Sequence, residues 1–204
     1  MSRILVTGGT GYIGSHTTVE LMQQGYDVTI VDNLSNSSID VLNGIEAIVG
    51  RKPEFANIDC GNFVDLDNVF KTYPDIIGAI HFAASKAVNE SVEKPLLYYR
   101  NNLGSLCTLL EVMRLHRVSN IVFSSSCTVY GQPDADHLPV DETAPIQTAL
   151  SPYGNTKQVN EEIIRDEAHA DPGLHATILR YFPYRQPVVR HGKCGGAGDR
   201  LRRL

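Results

Sequence analysis

An apolar run that breaks into three evenly spaced glycines constrains this chain more than any other feature. Residues 3–14 read Arg-Ile-Leu-Val-Thr-Gly-Gly-Thr-Gly-Tyr-Ile-Gly, with Gly8, Gly11 and Gly14 at intervals of three. Ile4 to Val6 are continuously apolar, the pattern of a buried parallel strand. Tyr12 to Gln24 carry Ile13, Thr17, Leu21 and Met22 at helical spacing, so a strand is expected to turn into a helix here. Gly8 permits the tight turn, Gly11 admits a ligand close to the backbone at the positive end of the helix, and Gly14 lets the helix pack against the sheet. The arrangement predicts a turn that holds a dinucleotide pyrophosphate.

The spacing Gly-x-x-Gly-x-x-Gly departs from the commoner Gly-x-Gly-x-x-Gly, and a glycine turn without a ligand is the alternative. Downstream residues favour the ligand. Asp27 to Val31 form a second apolar strand ending in Asp32, 18 residues after Gly14. A carboxylate there accepts hydrogen bonds from an adenosine ribose and repels a 2′-phosphate, which favours NAD over NADP. The competing role for Asp32 is a cap or turn residue, in keeping with the polar run Asn33 to Ser37 that follows it.

Strand and helix signals then alternate. Strands are expected at Glu54–Ile58, Ile76–Phe82, Asn120–Phe123 and Leu174–Leu179, and helices at Phe63–Thr72, Glu93–Val118 and Pro152–His169. The long helix presents Leu96, Leu97, Leu103, Leu106, Leu110 and Met113, and the last starts with Ser151 as cap and Pro152 in its first position. Six strands alternating with helices predict an α/β fold, a Rossmann-like doubly wound parallel sheet with its ligand crevice at the carboxyl ends of the strands. Ser124–Leu150 carries no periodic signal, and loops of that length are usually functional.

The 204 residues, 42% of them apolar, suffice for one substantial core. A net charge of −5 argues against nucleic acid as a partner. Residues 183–204 differ from the rest: they sum to +5 where residues 1–182 sum to −10, and they contain four glycines and no apolar periodicity. They are expected to be a disordered basic tail behind a single domain at 1–182. Met1-Ser2-Arg3 leads directly into the first strand without a signal peptide, and no run approaches the ~20 apolar residues that span a bilayer. A cytoplasmic protein without membrane contact is the expectation. Cys60, Cys107, Cys127 and Cys194 lack close pairing or histidines at metal-ligand spacing, so free thiols are expected and no metal site.

Tyr153 and Lys157 stand four residues apart on the expected Ser151 helix, one turn apart on one face. Ser124, Ser125 and Ser126 lie just past strand five, on the ligand side of the sheet. A tyrosine is a poor base alone, since only ~0.1% is phenolate at pH 7. A neighbouring ammonium and an oxidised nicotinamide both favour the anion, and a downward shift of about 3 units would bring it to working pH. Lys157 supplies the ammonium in this reading, and Ser126 passes the proton between a substrate hydroxyl and the phenol. Taken singly, the Tyr-Lys pair reads as an amphipathic surface pair and the serines as a turn.

These stretches together resemble the extended short-chain dehydrogenase/reductases, and within them the UDP-glucose 4-epimerase family. The matching residues are Val6-Thr-Gly-Gly-Thr-Gly-Tyr-Ile-Gly-Ser-His16, Asp32-Asn-Leu34, His81-Phe-Ala83 with Lys86, Glu90-Ser-Val92 with Lys94-Pro95, Ser124-Ser-Ser-Cys-Thr-Val-Tyr-Gly131, Ser151-Pro-Tyr-Gly-Asn-Thr-Lys157 and Leu179-Arg-Tyr-Phe182. The resemblance implies that Tyr12, Ile13, Asp32, Asn33, Leu34, Ser35, Asn36, Ser37, Asp59, Cys60, Phe82, Ala83, Ala84, Ser85, Lys86, Asn102, Tyr153, Lys157 and Phe182 line the NAD site. It implies that Ser126 and Tyr153 face a UDP-hexose, with Lys157 completing the catalytic set, and that the full-length family forms homodimers through its two long helices. Related dehydratases place an Asp-Glu pair in the strand-five loop, where this chain has Cys127-Thr128, which favours epimerase. Other superfamily activities, another epimerase or a decarboxylase among them, and a non-catalytic NAD-binding fragment are the alternatives. The family pattern continues with an Asn-Pro segment, but Pro183 stands where that Asn is expected. No later part of the pattern is visible, so a truncated form is the expectation.

Overall fold

Each apolar run of the sequence becomes a strand of one parallel sheet. The computed structural model describes residues 2–181; the expected tail at 183–204 and Phe182 lie outside the described residues. The strands are β1 (Arg3–Thr7), β2 (Asp27–Val31), β3 (Glu54–Ala56), β4 (Ile76–His81), β5 (Asn120–Ser124) and β6 (His175–Leu179). The helices are α1 (Tyr12–Gln23), α2 (Val41–Val49), α3 (Phe63–Thr72), α4 (Val88–Glu93), α5 (Pro95–Leu115) and α6 (Pro152–Ala170). All neighbouring strands pair in parallel, in the order β3-β2-β1-β4-β5-β6. The order reverses between β1 and β4, and in such sheets the crevice at that reversal is the ligand site.

Local chemistry explains most boundaries. Asn62 caps α3 by accepting from the N–H groups of Val64 and Asp65 at 3.1 and 3.3 Å, a contribution of about 1 kcal/mol. Ser151 caps α6 by accepting from Gly154 N–H at 3.1 Å, with Pro152 in the first turn as expected. Gly50, at φ 83°, ends α2 in the left-handed conformation that favours glycine.

The structure corrects the sequence reading in several places. The helix expected over Glu93–Val118 is α5, which starts at Pro95 because Lys94, the residue before a proline, is pushed out of helical geometry, and the short α4 ahead of it is not among the helices expected. Of the apolar positions read on this helix, Leu96 and Leu97 are exposed, and the first half of α5 instead buries Tyr98 and Asn102. Helix α2, absent from the sequence reading, buries Leu42 and Ile45 against β2. On α1 the buried row is Gly14, Thr18 and Met22, which leaves Ile13 exposed.

Two cores flank the sheet. Val6, Val28 and Ile30 pack with Met22, Leu42 and Ile45 under α1 and α2. On the other face Leu5, Ala79, Ile121 and Phe123 pack with Leu66, Phe70, Leu106, Leu109, Met113 and Ile164 under α3, α5 and α6. The row Ile80, Val122, Thr177 crosses β4, β5 and β6 in register and belongs to neither core. Ile80 and Val122 are half-buried and Thr177 is exposed.

Candidate functional site

Two groups of side chains meet the carboxyl end of the sheet, one on each side of the β1–β4 reversal. The first is the glycine turn. Gly8 sits at φ +68°, and a Cβ there would lie 2.7 Å from Ala83 N, so the turn and the start of the β4 loop admit no side chain. A Cβ on Gly14 would collide with the carbonyl oxygen of Gly8, which is why α1 comes so close to β1. A Cβ on Gly11 would meet only Gly8 O, at 3.2 Å, so the space it would enter is open. No side chain caps α1, and no acidic residue lies in its first turn. Its exposed first residues, Tyr12 and Ile13, therefore present N–H groups and positive helix potential to that space. The cradle fits an anionic pyrophosphate.

Asp32, at the end of β2, closes this corner. Its Oδ1 accepts from Leu34 N–H at 2.9 Å and Ser37 Oγ at 3.2 Å, and its Oδ2 accepts from Thr10 N–H at 3.2 Å. Ser37 Oγ also lies 2.7 Å from Thr10 Oγ1. Asp32 is thus the turn residue the sequence allowed, and its Oδ2 retains one further acceptor site that fits a ribose hydroxyl. Leu34 takes φ 57°, while Asn33, Ser35 and Asn36 are exposed on the same loop.

The second group comes from β5, α6 and the turn between them. Lys157 is buried, donates to Ser124 O at 2.7 Å and lies 4.8 Å from the centroid of the Phe123 ring. Burial pushes its ammonium down to about 8, opposed by the charge of Glu161. Its Nζ is 5.9 Å from the Tyr153 ring centroid, so the pair shares a face as expected. Burial pushes the half-buried Tyr153 phenol above its ordinary 10, and a hydrogen bond with the Ser126 hydroxyl works against that. The expected lowering by Lys157 is not produced by the chain's own groups. Ser126 is buried, and its Oγ accepts from Thr128 N–H at 3.2 Å and Thr128 Oγ1 at 3.0 Å.

Asn102 is buried with its amide fully engaged. It donates to Ser85 O and Thr156 Oγ1, both at 3.0 Å, and accepts from Ser85 N–H at 2.8 Å and Asn101 Nδ2 at 3.2 Å. It clamps the loop holding Ala84, Ser85 and the exposed Lys86 to α5 and α6. Phe82 and Ala83 tie the same loop to β1, through Phe82 N–H to Thr7 O at 3.0 Å and Ala83 N–H to Thr7 Oγ1 at 3.3 Å. The Cys60 thiol is buried against Ser105 O, and burial, then the Asp59 carboxylate, push it up to about 12. Asp59 itself is exposed.

Sequence reasoning missed His81, Glu161 and Arg180 as members of this site. His81 is buried, with Nδ1 2.8 Å from Thr7 Oγ1 and its ring stacked on Phe123 at 6.1 Å. Glu161 is buried one turn beyond Lys157 and accepts from Arg180 through both oxygens, at 3.0 and 2.7 Å. Its only sequence signal is its place in the stripe Tyr153, Lys157, Glu161.

Comparison with known proteins agrees with this architecture. The family described as the NAD dependent epimerase/dehydratase family matches residues 4–186. The UDP-glucose 4-epimerase of Dictyostelium discoideum is 48% identical over 189 residues, covering 93% of this chain and 53% of that protein. The human UDP-glucose 4-epimerase is 46% identical over 186 residues, covering 88% of this chain and 53% of that protein. A crystal structure of UDP-glucose 4-epimerase from Bifidobacterium longum in complex with NAD+ and UDP superposes with a TM-score of 0.86 at 45% identity, covering 89% of this chain and 53% of that one. The chain spans about half the length of these relatives.

Proposed function

The chain belongs to the NAD dependent epimerase/dehydratase family, and on that footing we propose that residues 1–182 bind NAD and supply the catalytic side chains for interconverting UDP-glucose and UDP-galactose. The observation that carries this reading is the stripe of Tyr153 and Lys157 on α6 beside Ser126, at the same end of the sheet as the open glycine turn.

In this reading the pyrophosphate rests on the first turn of α1 at Gly8, Gly11 and Gly14, flanked by Tyr12 and Ile13. The adenosine ribose meets Asp32, and the Asn33–Ser37 loop, Asp59, Cys60 and the Phe82–Lys86 loop line the remainder, with Asn102 holding that last loop. Lys157 spends one N–H on Ser124 O and retains two for the nicotinamide ribose. NAD, when bound, accepts a hydride from C4 of the sugar and returns it to the other face. Tyr153 takes the 4-hydroxyl proton, with Ser126 as its relay, holds it while the 4-keto sugar turns, and gives it back. The positive charge of the oxidised nicotinamide offsets the burial that holds the phenol above 10. Exposed Val92 on α4 and Leu96 on α5 belong to the apolar face of a homodimer in this scheme.

Binding energy from the uridine diphosphate must hold the sugar in place, and the chain carries about half the length of its relatives. The 204-residue chain is therefore expected to bind NAD without converting UDP-galactose. Calorimetric titration with NAD, together with a coupled assay for UDP-glucose, tests this. Absence of NAD binding refutes the cofactor assignment, and clear turnover refutes the view that this chain lacks the substrate grip.

A further inference from the structure

The turn that carries Ser126 is tied to α6 by Gln158 Nε2, which donates to Val129 O at 2.8 Å, and by four further contacts that converge on Glu161 and residues 179–181. Ser125 Oγ donates to Glu161 Oε1, and Ser125 N–H donates to Leu179 O at 2.8 Å. Cys127 N–H donates to Tyr181 O at 2.8 Å. At the far end of the turn, Arg180 Nη1 lies 3.0 Å from the Tyr130 hydroxyl, with the guanidinium 4.9 Å from the Tyr130 ring centroid. Leu179, Arg180 and Tyr181 are consecutive, and Arg180 is held bidentately by Glu161, which Arg165 also contacts at 2.8 Å. Glu161 in turn continues the α6 stripe that bears Tyr153 and Lys157. The Ser126 hydroxyl accepts from Thr128 within the turn and faces the Tyr153 phenol of α6, so the placement of the turn against α6 sets that contact.

We propose that Glu161, paired with Arg180, is a positioning residue that sets the Ser126 hydroxyl against the Tyr153 phenol by clamping the Ser125–Tyr130 turn to α6. A bidentate carboxylate–guanidinium pair has one preferred geometry, so it transmits position where a single hydrogen bond would leave the turn free to pivot. The catalytic meaning of that position rests on the proposed function, whereas the geometric coupling does not.

The test uses the 204-residue chain labelled with 13C at tyrosine Cζ, the Tyr153 signal being identified by its loss in Tyr153→Phe. The groups facing that phenol are Ser126 and Cys127 from the turn, Tyr98 from α5 and Lys157 from its own helix. Ser126→Ala is expected to move the Tyr153 titration upward by roughly 0.5–1 pH unit, the worth of one hydrogen bond to the phenolate. Glu161→Gln should reproduce that shift, the double variant should add nothing to either single one, and Glu161→Asp should restore part of the wild-type midpoint. If the Glu161 variants fail to fold, Tyr130→Phe removes only the outermost tether and should give a smaller shift in the same direction. A Tyr153 midpoint that moves with Ser126→Ala but not with Glu161→Gln or Tyr130→Phe overturns the proposal, and so does additivity in the double variant. Loss of NAD binding in the unmodified chain would refute the functional reading alone and leave the tyrosine shifts as the measure of this one.

Discussion

The β1–α1–β2 corner and the β5–α6–β6 side of the same sheet are built on opposite principles. At the corner, Gly8, Thr10, Asp32 and Ser37 close a loop within 30 residues of chain, using backbone amides and one carboxylate. Helices α1 and α2 cover it. On the other side, the stripe of Tyr153, Lys157 and Glu161 is held by groups far apart in sequence, Ser125 to Glu161 and Tyr130 to Arg180. Residues 175–177 of β6 are exposed, and the row Ile80, Val122, Thr177 is covered by neither core. The glycine turn and Asp32 are held together by local contacts alone. The Tyr153–Lys157 stripe, by contrast, depends on contacts between segments distant in sequence.

His81, which joins β1 and β5 through Thr7 and Phe123, gives a large expected effect. Burial, then the charge of Lys157, push His81 from 6.5 down to about 3. Between those values the unfolded chain binds a proton that the folded chain refuses, so stability falls as pH falls through that window. Lowering the pH from 7 to 4.5 should cost about 2–3 kcal/mol through this one group. Urea unfolding at both values, for the unmodified chain and for His81→Asn, isolates the contribution. Parallel losses in the two proteins would show that His81 bears no such penalty.

Of similar size is the effect of Tyr153→Phe. In a protein carrying residues 1–182 ahead of a complete substrate-binding region, it should lower turnover by ~10²-fold or more while NAD affinity stays within a few-fold. That outcome would separate the two regions functionally. Near-normal turnover removes Tyr153 from proton transfer, and a parallel fall in NAD affinity shows that the regions are not independent.

The smallest effect belongs to the corner. Asp32→Ala should narrow the preference for NAD over NADP by roughly 10-fold, since it removes both a ribose acceptor and a repulsion toward the 2′-phosphate. Competitive binding measures it, and equal affinity of the unmodified chain for the two cofactors contradicts the role given to Asp32.

What the sequence by itself determined is whatever short-range chemistry dictates. The glycine spacing, the alternation of apolar runs with helical stripes, the Ser151 cap with Pro152, and the four-residue interval from Tyr153 to Lys157 each have their cause within a few residues. Those elements appear where the sequence puts them. Helix α2 was legible too, in Val41, Leu42, Ile45, Ile48 and Val49, but it opens without a side-chain cap and has Gly44 in its middle, so its start signal is weak. The tertiary structure alone decided three things. It set which face of α5 turns inward, because Tyr98 and Asn102 find hydrogen-bond partners on other elements that periodicity does not reveal. It brought His81 beneath Phe123 and Glu161 onto Arg180, contacts that join separate strands and helices. And it raised the Tyr153 phenol rather than lowering it, because burial of a charge is a property of everything packed around it, which no local spacing records.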